Sequence, residues 1–403
     1  RSGTSRTRFI ATKYDRHGHE RRSRRACPTP RPAPSFVPTM VRVWFAGRRA
    51  VQSIEDRARG LARHFSADLV ASHDYRDGRG VLASTRAFFR TVAAARRHDV
   101  LWLLSQHPAR VIAAWLGRAL FDTRVIVDTG DLLYESVRIA GRPPLYCAVV
   151  RVLEALSTRV PDAVVVRGSE HVTLLQRQAV RRVELIVDGV ECNQFARRDS
   201  AEVRARLGVR SAVTVGVVAT IGWEARLGLP SPGWDVVECL ARLTDLDVVG
   251  LVVGDGPGLA GLRALADQRG VTERMRFVGR VPLAELPAYL SGIDIFLHTA
   301  LNNPMSAVRT TGKLPIFLAS GCAAVVSRVG EAARVLEGTG MLIDFDGTWE
   351  EYARRLAARV RAIIADGELE RWRETGPAIA RREFDYAALG ARAEVLVRAL
   401  TGA

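Results

Sequence analysis

Three groups of residues have types and spacings suited to chemistry on anions and hydroxyls. The first is the run Ser306-Ala-Val-Arg-Thr-Thr-Gly-Lys-Leu-Pro315. Serine is a favoured helix N-cap, and a helix start gathers free amides and a positive dipole end, so it attracts anions. Arg309 and Lys313 are four apart and share a face of a regular helix. Together they would hold a diphosphate. Gly312 and Pro315 argue against regularity and mark a kink, and two solvated cations are the plain alternative. Lys313 carries extra weight because the chain has 57 arginines and only two lysines, Lys13 and Lys313.

The second group is acid–base. Val125–Asp131 ends a strand pattern on two acids, Asp128 and Asp131, and His107 follows the preceding strand pattern. A histidine and an aspartate at adjacent strand ends can orient or deprotonate an acceptor hydroxyl. Capping acids and a turn histidine fit the same spacing. The third group is glycine-bearing loops. Gly254-Asp-Gly256-Pro257 closes one strand and opens a helix, with Leu259 where a dinucleotide fingerprint needs its third glycine. Gly279–Arg280 ends the next strand, where glycine admits a planar ligand and arginine can lie over or bond a base. A solvated arginine at a strand end is the alternative. Gly47-Arg48-Arg49 is a further loop at a strand end, facing the same kind of cleft.

These residues need a scaffold, and the pattern supplies one. From Met40 onward, short β-branched runs alternate with amphipathic helical stretches, as parallel strands with helical crossovers require. The first series runs from Val41–Ala46 to Val183–Val187. Residues 193–209 look like a linker with a short charged helix. A second series runs from Val213–Val218 to Met341–Ile343, and a long helix closes the chain over Tyr386–Leu400. The expected fold is α/β: a basic leader at 1–39, a Rossmann-like domain at 40–205, a second at 206–385 and a C-terminal helix at 386–403. Open α/β sheets bind ligands at the carboxyl ends of their strands, and two facing sheets leave a cleft between them.

Composition narrows the function classes. The 403 residues are 48% hydrophobic and 25% charged, which suits two ordinary domains. The formal charge is +16, but residues 1–39 hold ten Lys/Arg against Asp15 and Glu20, so half the excess lies in that stretch. It reads as a disordered leader, either a targeting segment or else a wrongly extended reading frame or a fragment end. The rest of the excess suits anionic lipid or diphosphate substrates as well as nucleic acid, and no nucleic-acid partner is expected. The five cysteines form no metal-spaced set, which suits a reducing, cytoplasmic compartment. No apolar run approaches the ~20 residues of a membrane span. Peripheral contact with an anionic inner membrane face fits.

Taken in order, the landmarks of the second half resemble the family-4 retaining glycosyltransferases of the GT-B fold. They are a glycine-bearing loop after Val218, Gly254–Pro257, Phe277–Gly279, Ile293–Ile295, Lys313–Leu314 leading to Ala319–Gly321, Val325–Ser327 with Val329–Gly330, Gly338–Ile343 and Arg381–Tyr386. The first half is similar more loosely, through Ala163–Ser169 and Ile186–Phe195. The resemblance implies a hexose-type nucleotide-sugar donor on the second domain, UDP or GDP undetermined, and a glycan or lipid-linked acceptor on the first. Lys313 and Arg309 would neutralise the departing diphosphate, and Asp131 and His107 would serve the acceptor. Gly222, Arg226, Gly254, Gly279, Arg280, Ser306 and Gly47 would line the binding sites. The family retains configuration and uses neither cofactor nor metal in the site. Two glutamates that many members carry on this helix fall here on Val308 and Ile316, and Arg226 is only a candidate for their usual basic loop residue. A non-catalytic GT-B scaffold is therefore the competing expectation.

Overall fold

The structure, a computed structural model, describes residues 40–48, 52–78, 80–209, 212–222, 230–310, 313–345 and 347–403. The leader at 1–39 and Arg226 lie outside the described residues.

The first sheet contains β1 (Val41–Arg48), β2 (Leu69–Asp77), β3 (Val100–Leu103), β4 (Arg124–Thr129), β5 (Ala163–Val166) and β6 (Val183–Leu185). All are parallel, in the order β2-β1-β3-β4-β5-β6. The second sheet contains β7 (Val213–Val218), β8 (Val248–Val253), β9 (Met275–Gly279), β10 (Ile295–His298), β11 (Ala323–Ser327) and β12 (Leu342–Ile343). It too is parallel, in the order β12-β11-β10-β7-β8-β9. β5 and β8 are buried along their whole length, which is why they read as unbroken apolar runs rather than alternating ones.

Helices cover both faces of each sheet. In the first domain the helix Gln52–Arg63 packs against the C-terminal helix Tyr386–Thr401. The ion pair Arg398–Asp68 (2.8 Å) reinforces that contact, as does Glu394 accepting from the Ser66 amide (2.9 Å). The chain's last helix thus crosses back onto the first domain. The helices Val81–Ala95, Pro108–Phe121 and Pro144–Arg159 pack side by side. Each follows a strand whose successor lies in the same direction along the sheet. Right-handed crossovers place all three on the face opposite Gln52–Arg63.

Four cysteines, Cys147, Cys192, Cys239 and Cys322, are buried free thiols. Among the described residues no helix is long and apolar enough to cross a membrane. Three local expectations change. Gly47 and Arg48 belong to β1 itself rather than to a following loop. The helices Leu133–Ile139 and Glu368–Phe384 were not foreseen. The expected helix across Ser306–Lys313 is instead two short pieces, Pro304–Ala307 and Lys313–Ala319.

Candidate functional site

Two pockets lie at carboxyl ends of strands. The larger, about 730 Å³, is bounded by the ends of β7 and β8 (Val218–Thr220, Val253–Gly256), by Arg280–Leu283 and Leu286, and by Asp56 from the first domain. Its floor is knitted backbone. The Gly254 amide donates to the Gly279 carbonyl (2.8 Å), the Ile221 amide to Asp255 (3.0 Å) and the Gly258 amide to Ile221 (2.9 Å). The Gly222 carbonyl accepts from Ser231 Oγ (2.7 Å). Gly254 has φ +137°, and a Cβ there would run into the Ala219 carbonyl. Its absence of a side chain therefore serves backbone packing. At Gly279, φ is +78° and nothing lies within 4 Å of a Cβ position, so the space above this strand end is open. Gly254, Gly279 and Arg280 thus converge, and Arg280 is exposed at the rim.

The smaller pocket, about 360 Å³, lies between the domains and is lined by Asp128, Asp131, Arg167, Asp188, Arg309 and Thr310 among others. Beneath it runs a buried ion network. Arg57 donates to Asp128 (2.8 Å), to the Val187 carbonyl (2.7 Å) and to Asp188 (3.3 Å). Arg167 and Trp102 also donate to Asp128, each at 3.2 Å. Burial alone would raise the Asp128 pKa, but Arg57 and Arg167 overcome it and hold the carboxyl below the usual carboxylate range. Asp131, just beyond β4, forms an ion pair with Arg309 of the second domain. Thr310 Oγ1 donates to the Arg167 carbonyl beside it.

A third polar group lies inside the second domain. Thr299 Oγ1 donates to buried Asp235 (3.0 Å), and Ser327 Oγ accepts from the Ala300 amide and bonds the Tyr352 hydroxyl, both at 2.8 Å. Lys313 interacts electrostatically with Asp235 and His298. Burial lowers the Lys313 pKa, with Asp235 opposing. His298 is pushed down to about 3 by burial and by Lys313.

The structure therefore divides the expected cationic cluster. Ser306 is not the N-cap; Asn303 is, its side chain accepting from the Ser306 amide (2.9 Å), with Pro304 at the first helical position. The helix ends at Ala307, and Val308 is its C-cap. Arg309 and Lys313 consequently do not share a helix face: one turns to the interdomain pocket, the other to Asp235. An Asn-Pro start is a known helix signal and could have located this cap. His107 is the N-cap residue of Pro108–Phe121 and lines neither pocket. Gly47 is buried under Ile54 and Leu104, two residues that line the smaller pocket. Val308 is buried, and Ile316 packs partly buried against the core. Arg57, Arg167 and Asp188 were missed. The only signal for the last two was their position in the strand-end segments Ala163–Ser169 and Ile186–Phe195.

Similar proteins fit this geometry. Residues 234–366 match the family described as glycosyl transferases group 1. The whole architecture matches Anabaena HepE in complex with UDP, at TM-score 0.66 and 16% identity, covering 88% of this chain and 99% of that one. Sucrose-phosphate synthase from Thermosynechococcus elongatus matches at TM-score 0.67 and 16% identity, covering 90% and 99%. The fold is GT-B. On this GT-B scaffold the group 1 segment spans Trp234 to Asp366, the greater part of the second domain.

Among curated relatives, the chain is 29% identical to 2-deoxystreptamine glucosyltransferase of Streptomyces kanamyceticus, over 42% of this chain and 46% of the relative. It is 28% identical to a GDP-mannose-dependent alpha-(1-6)-phosphatidylinositol monomannoside mannosyltransferase of Mycobacterium tuberculosis, over 47% and 51%. The aligned region thus spans about half the length of these relatives.

Proposed function

We propose that this GT-B chain is a glycosyltransferase that moves a hexose-type sugar, with retention, from a nucleotide-sugar donor to a glycan or lipid-linked acceptor. The observation that carries this reading is the 730 Å³ pocket at the ends of β7 and β8, with Asp56 of the other domain on its wall. Its size suits a nucleotide-sized ligand, and its place is where open α/β sheets bind theirs. Names of similar proteins agree: HepE has been solved with UDP-glucose, and the mycobacterial relative is GDP-mannose-dependent.

In the proposed step, the bond from sugar C1 to the diphosphate oxygen breaks and a bond from C1 to the acceptor oxygen forms. The nucleoside diphosphate leaves with the bonding pair, and the acceptor proton passes to a base. Arg309, which lines the interdomain pocket, stabilises the departing charge, while Lys313, turned to Asp235, lines neither pocket and adds only longer-range positive charge. Asp131, facing Arg309 across the cleft, is the candidate base, and His107, on the same domain, lines neither pocket. Neither metal nor cofactor is invoked. Envelope polysaccharide or glycolipid synthesis on the cytoplasmic side is the setting this chemistry suits.

A thermal-shift screen against UDP, GDP, UDP-glucose and GDP-mannose tests donor binding, since a ligand bound only by the native state raises Tm. Anomeric analysis of any product by NMR tests retention. Val308 and Ile316 favour the second reading, a non-catalytic GT-B scaffold, because neither can bond a ribose. Nucleotide binding without turnover, or no binding at all, would select that reading.

A further inference from the structure

Eighteen large hydrophobic side chains are exposed among the described residues, and fourteen of them fall between Val81 and Leu156. They sit on neighbouring helices of one face of the first domain, with Pro108–Phe121 packing against both Val81–Ala95 and Pro144–Arg159. Their spacing is helical. On the middle helix Ile112, Trp115, Leu116 and Leu120 point outward, while Val111, Ala114 and Gly117 of the same helix are buried. On Pro144–Arg159 the outward stripe is Leu145, Val149, Val152 and Leu156. A helix apolar on its outer face as well as its inner one needs a second apolar surface to cover it.

Charge says what kind of surface. Val81–Ala95 and Pro108–Phe121 contain arginines and no acid at all. Pro144–Arg159 carries Arg151 and Arg159 against one acid, Glu154. That carboxylate is occupied, accepting from the Leu133 and Tyr134 amides at 2.5 and 3.3 Å. Arg151 lies over the Tyr134 ring and Arg96 over Phe121, at 5.5 and 6.0 Å. Asp74 pairs with Arg90 and Arg110, and Asp162 with Arg118. Exposed Arg86, Arg96 and Arg151 stand beside the apolar stripe, which is the pattern of a surface that sinks into the boundary between acyl chains and anionic headgroups. A second copy of the chain fits poorly, because a two-fold contact sets the same net-basic patch against itself.

We propose that this face of the first domain docks on an anionic lipid bilayer. The docking stands on the patch alone. Its consequence for substrate rests on the transferase reading above. The helix Leu133–Ile139 packs beside Pro144–Arg159, carries exposed Ile139, and begins at Leu133, which lines the interdomain pocket. A lipid-held acceptor would therefore meet Asp131 without leaving the bilayer surface.

The test uses the full chain and vesicles of phosphatidylcholine with or without phosphatidylglycerol. Wild-type protein is expected to sediment with the phosphatidylglycerol vesicles at least tenfold more readily than with phosphatidylcholine alone. Brominated acyl chains are expected to quench its tryptophan emission. Trp115→Ser with Leu120→Ser should weaken sedimentation at least tenfold and abolish the quenching, at unchanged Tm. Arg86→Glu with Arg151→Glu should remove the preference for anionic lipid. The chain has seven tryptophans, so it is the quenching lost with Trp115→Ser that reports this face, and binding through the basic leader does not mimic that loss. No vesicle binding by wild type, or quenching that survives the Trp115→Ser pair, overturns the proposal. So does a concentration-dependent dimer that the same pair abolishes. Nucleotide thermal shifts on wild type and variant separate the two readings. A lost nucleotide response with intact docking sinks only the transferase reading, and the reverse sinks only the docking.

Discussion

Arg309 of the second domain is ion-paired with Asp131 of the first, across the interdomain pocket that both line. Both side chains are about half exposed, at 44% and 56%. An exposed pair of this kind contributes only about 0–1 kcal/mol to stability, so its effect should appear in binding and turnover instead. In the proposed function a diphosphate competes with Asp131 for Arg309, and the carboxylate is released as the cation engages its ligand. Asp131→Asn should move Tm by no more than about 3 °C. It should tighten nucleotide binding a few-fold and lower kcat by roughly 100-fold, in the range of a lost general base. Arg309→Gln should weaken nucleotide binding about tenfold or more, as loss of a charge-assisted bond does. Calorimetric Kd values beside initial rates decide it; weaker nucleotide binding by Asp131→Asn would break the link between the two residues.

The glycines at the larger pocket should respond differently to the same change. Gly254→Ala pushes a methyl into the Ala219 carbonyl as well as straining φ +137°. It should cost several kcal/mol, roughly 3 or more, because backbone cannot move aside without breaking the loop floor. Gly279→Ala meets no atom within 4 Å, so only φ +78° penalises it, by about 1–2 kcal/mol. Melting curves of the two variants should therefore separate clearly. Equal losses of Tm would mean that the Gly254 contact is not tight.

Asp128 is fully enclosed and serves Arg57, Arg167 and Trp102 at once. Asp128→Asn leaves Arg57 buried beside a neutral partner, a loss on the order of 3–5 kcal/mol. Adding Arg57→Met should recover part of that loss, since a buried cation left with only its 3.3 Å contact to the Asp188 carboxylate is then gone. A double variant as unstable as the sum of the singles would show that Arg57 and Asp128 do not act as a pair.

The sequence disclosed most of the frame and little of the site, for physical reasons. Runs such as Ala163–Val166 and Val248–Val253 are legible because a strand buried on both faces must be apolar throughout. Glu368–Phe384 was hidden by Gly376 and Pro377, which argue against a helix locally. Packing overrides them: Gly376 lies against the Leu318 carbonyl, where a Cβ would collide. The break between Ala307 and Lys313 was foreshadowed by Gly312 and Pro315, yet a four-residue spacing suggested one helix face. The Arg57–Asp128–Asp188 network joins residues 71 and 131 positions apart, a distance over which no spacing rule operates.

Three histidines whose pKa burial lowers, His73, His171 and His298, make stability depend on pH. His171 is pushed down to about 4, chiefly by burial, and His298 to about 3 by burial and then by Lys313. Their ordinary value is 6.5. Between about pH 4 and 6.5 the unfolded chain binds protons that the folded chain refuses, so stability rises with pH across that window. It is fully present above pH 6.5 and is lost as pH falls, at up to about 1.4 kcal/mol per pH unit for each histidine. Asp235 acts in the opposite sense: its pKa is raised by burial, so the folded chain holds that proton longer and gains on acidification. Asp128, held low, contributes stability that disappears only below its ordinary 3.8. The net expectation is a Tm that falls steadily from pH 7 to pH 5, and a shallower fall in His171→Gln with His298→Gln. Melting curves at half-unit steps measure both slopes, and an unchanged slope in the double variant would show that other groups titrate there.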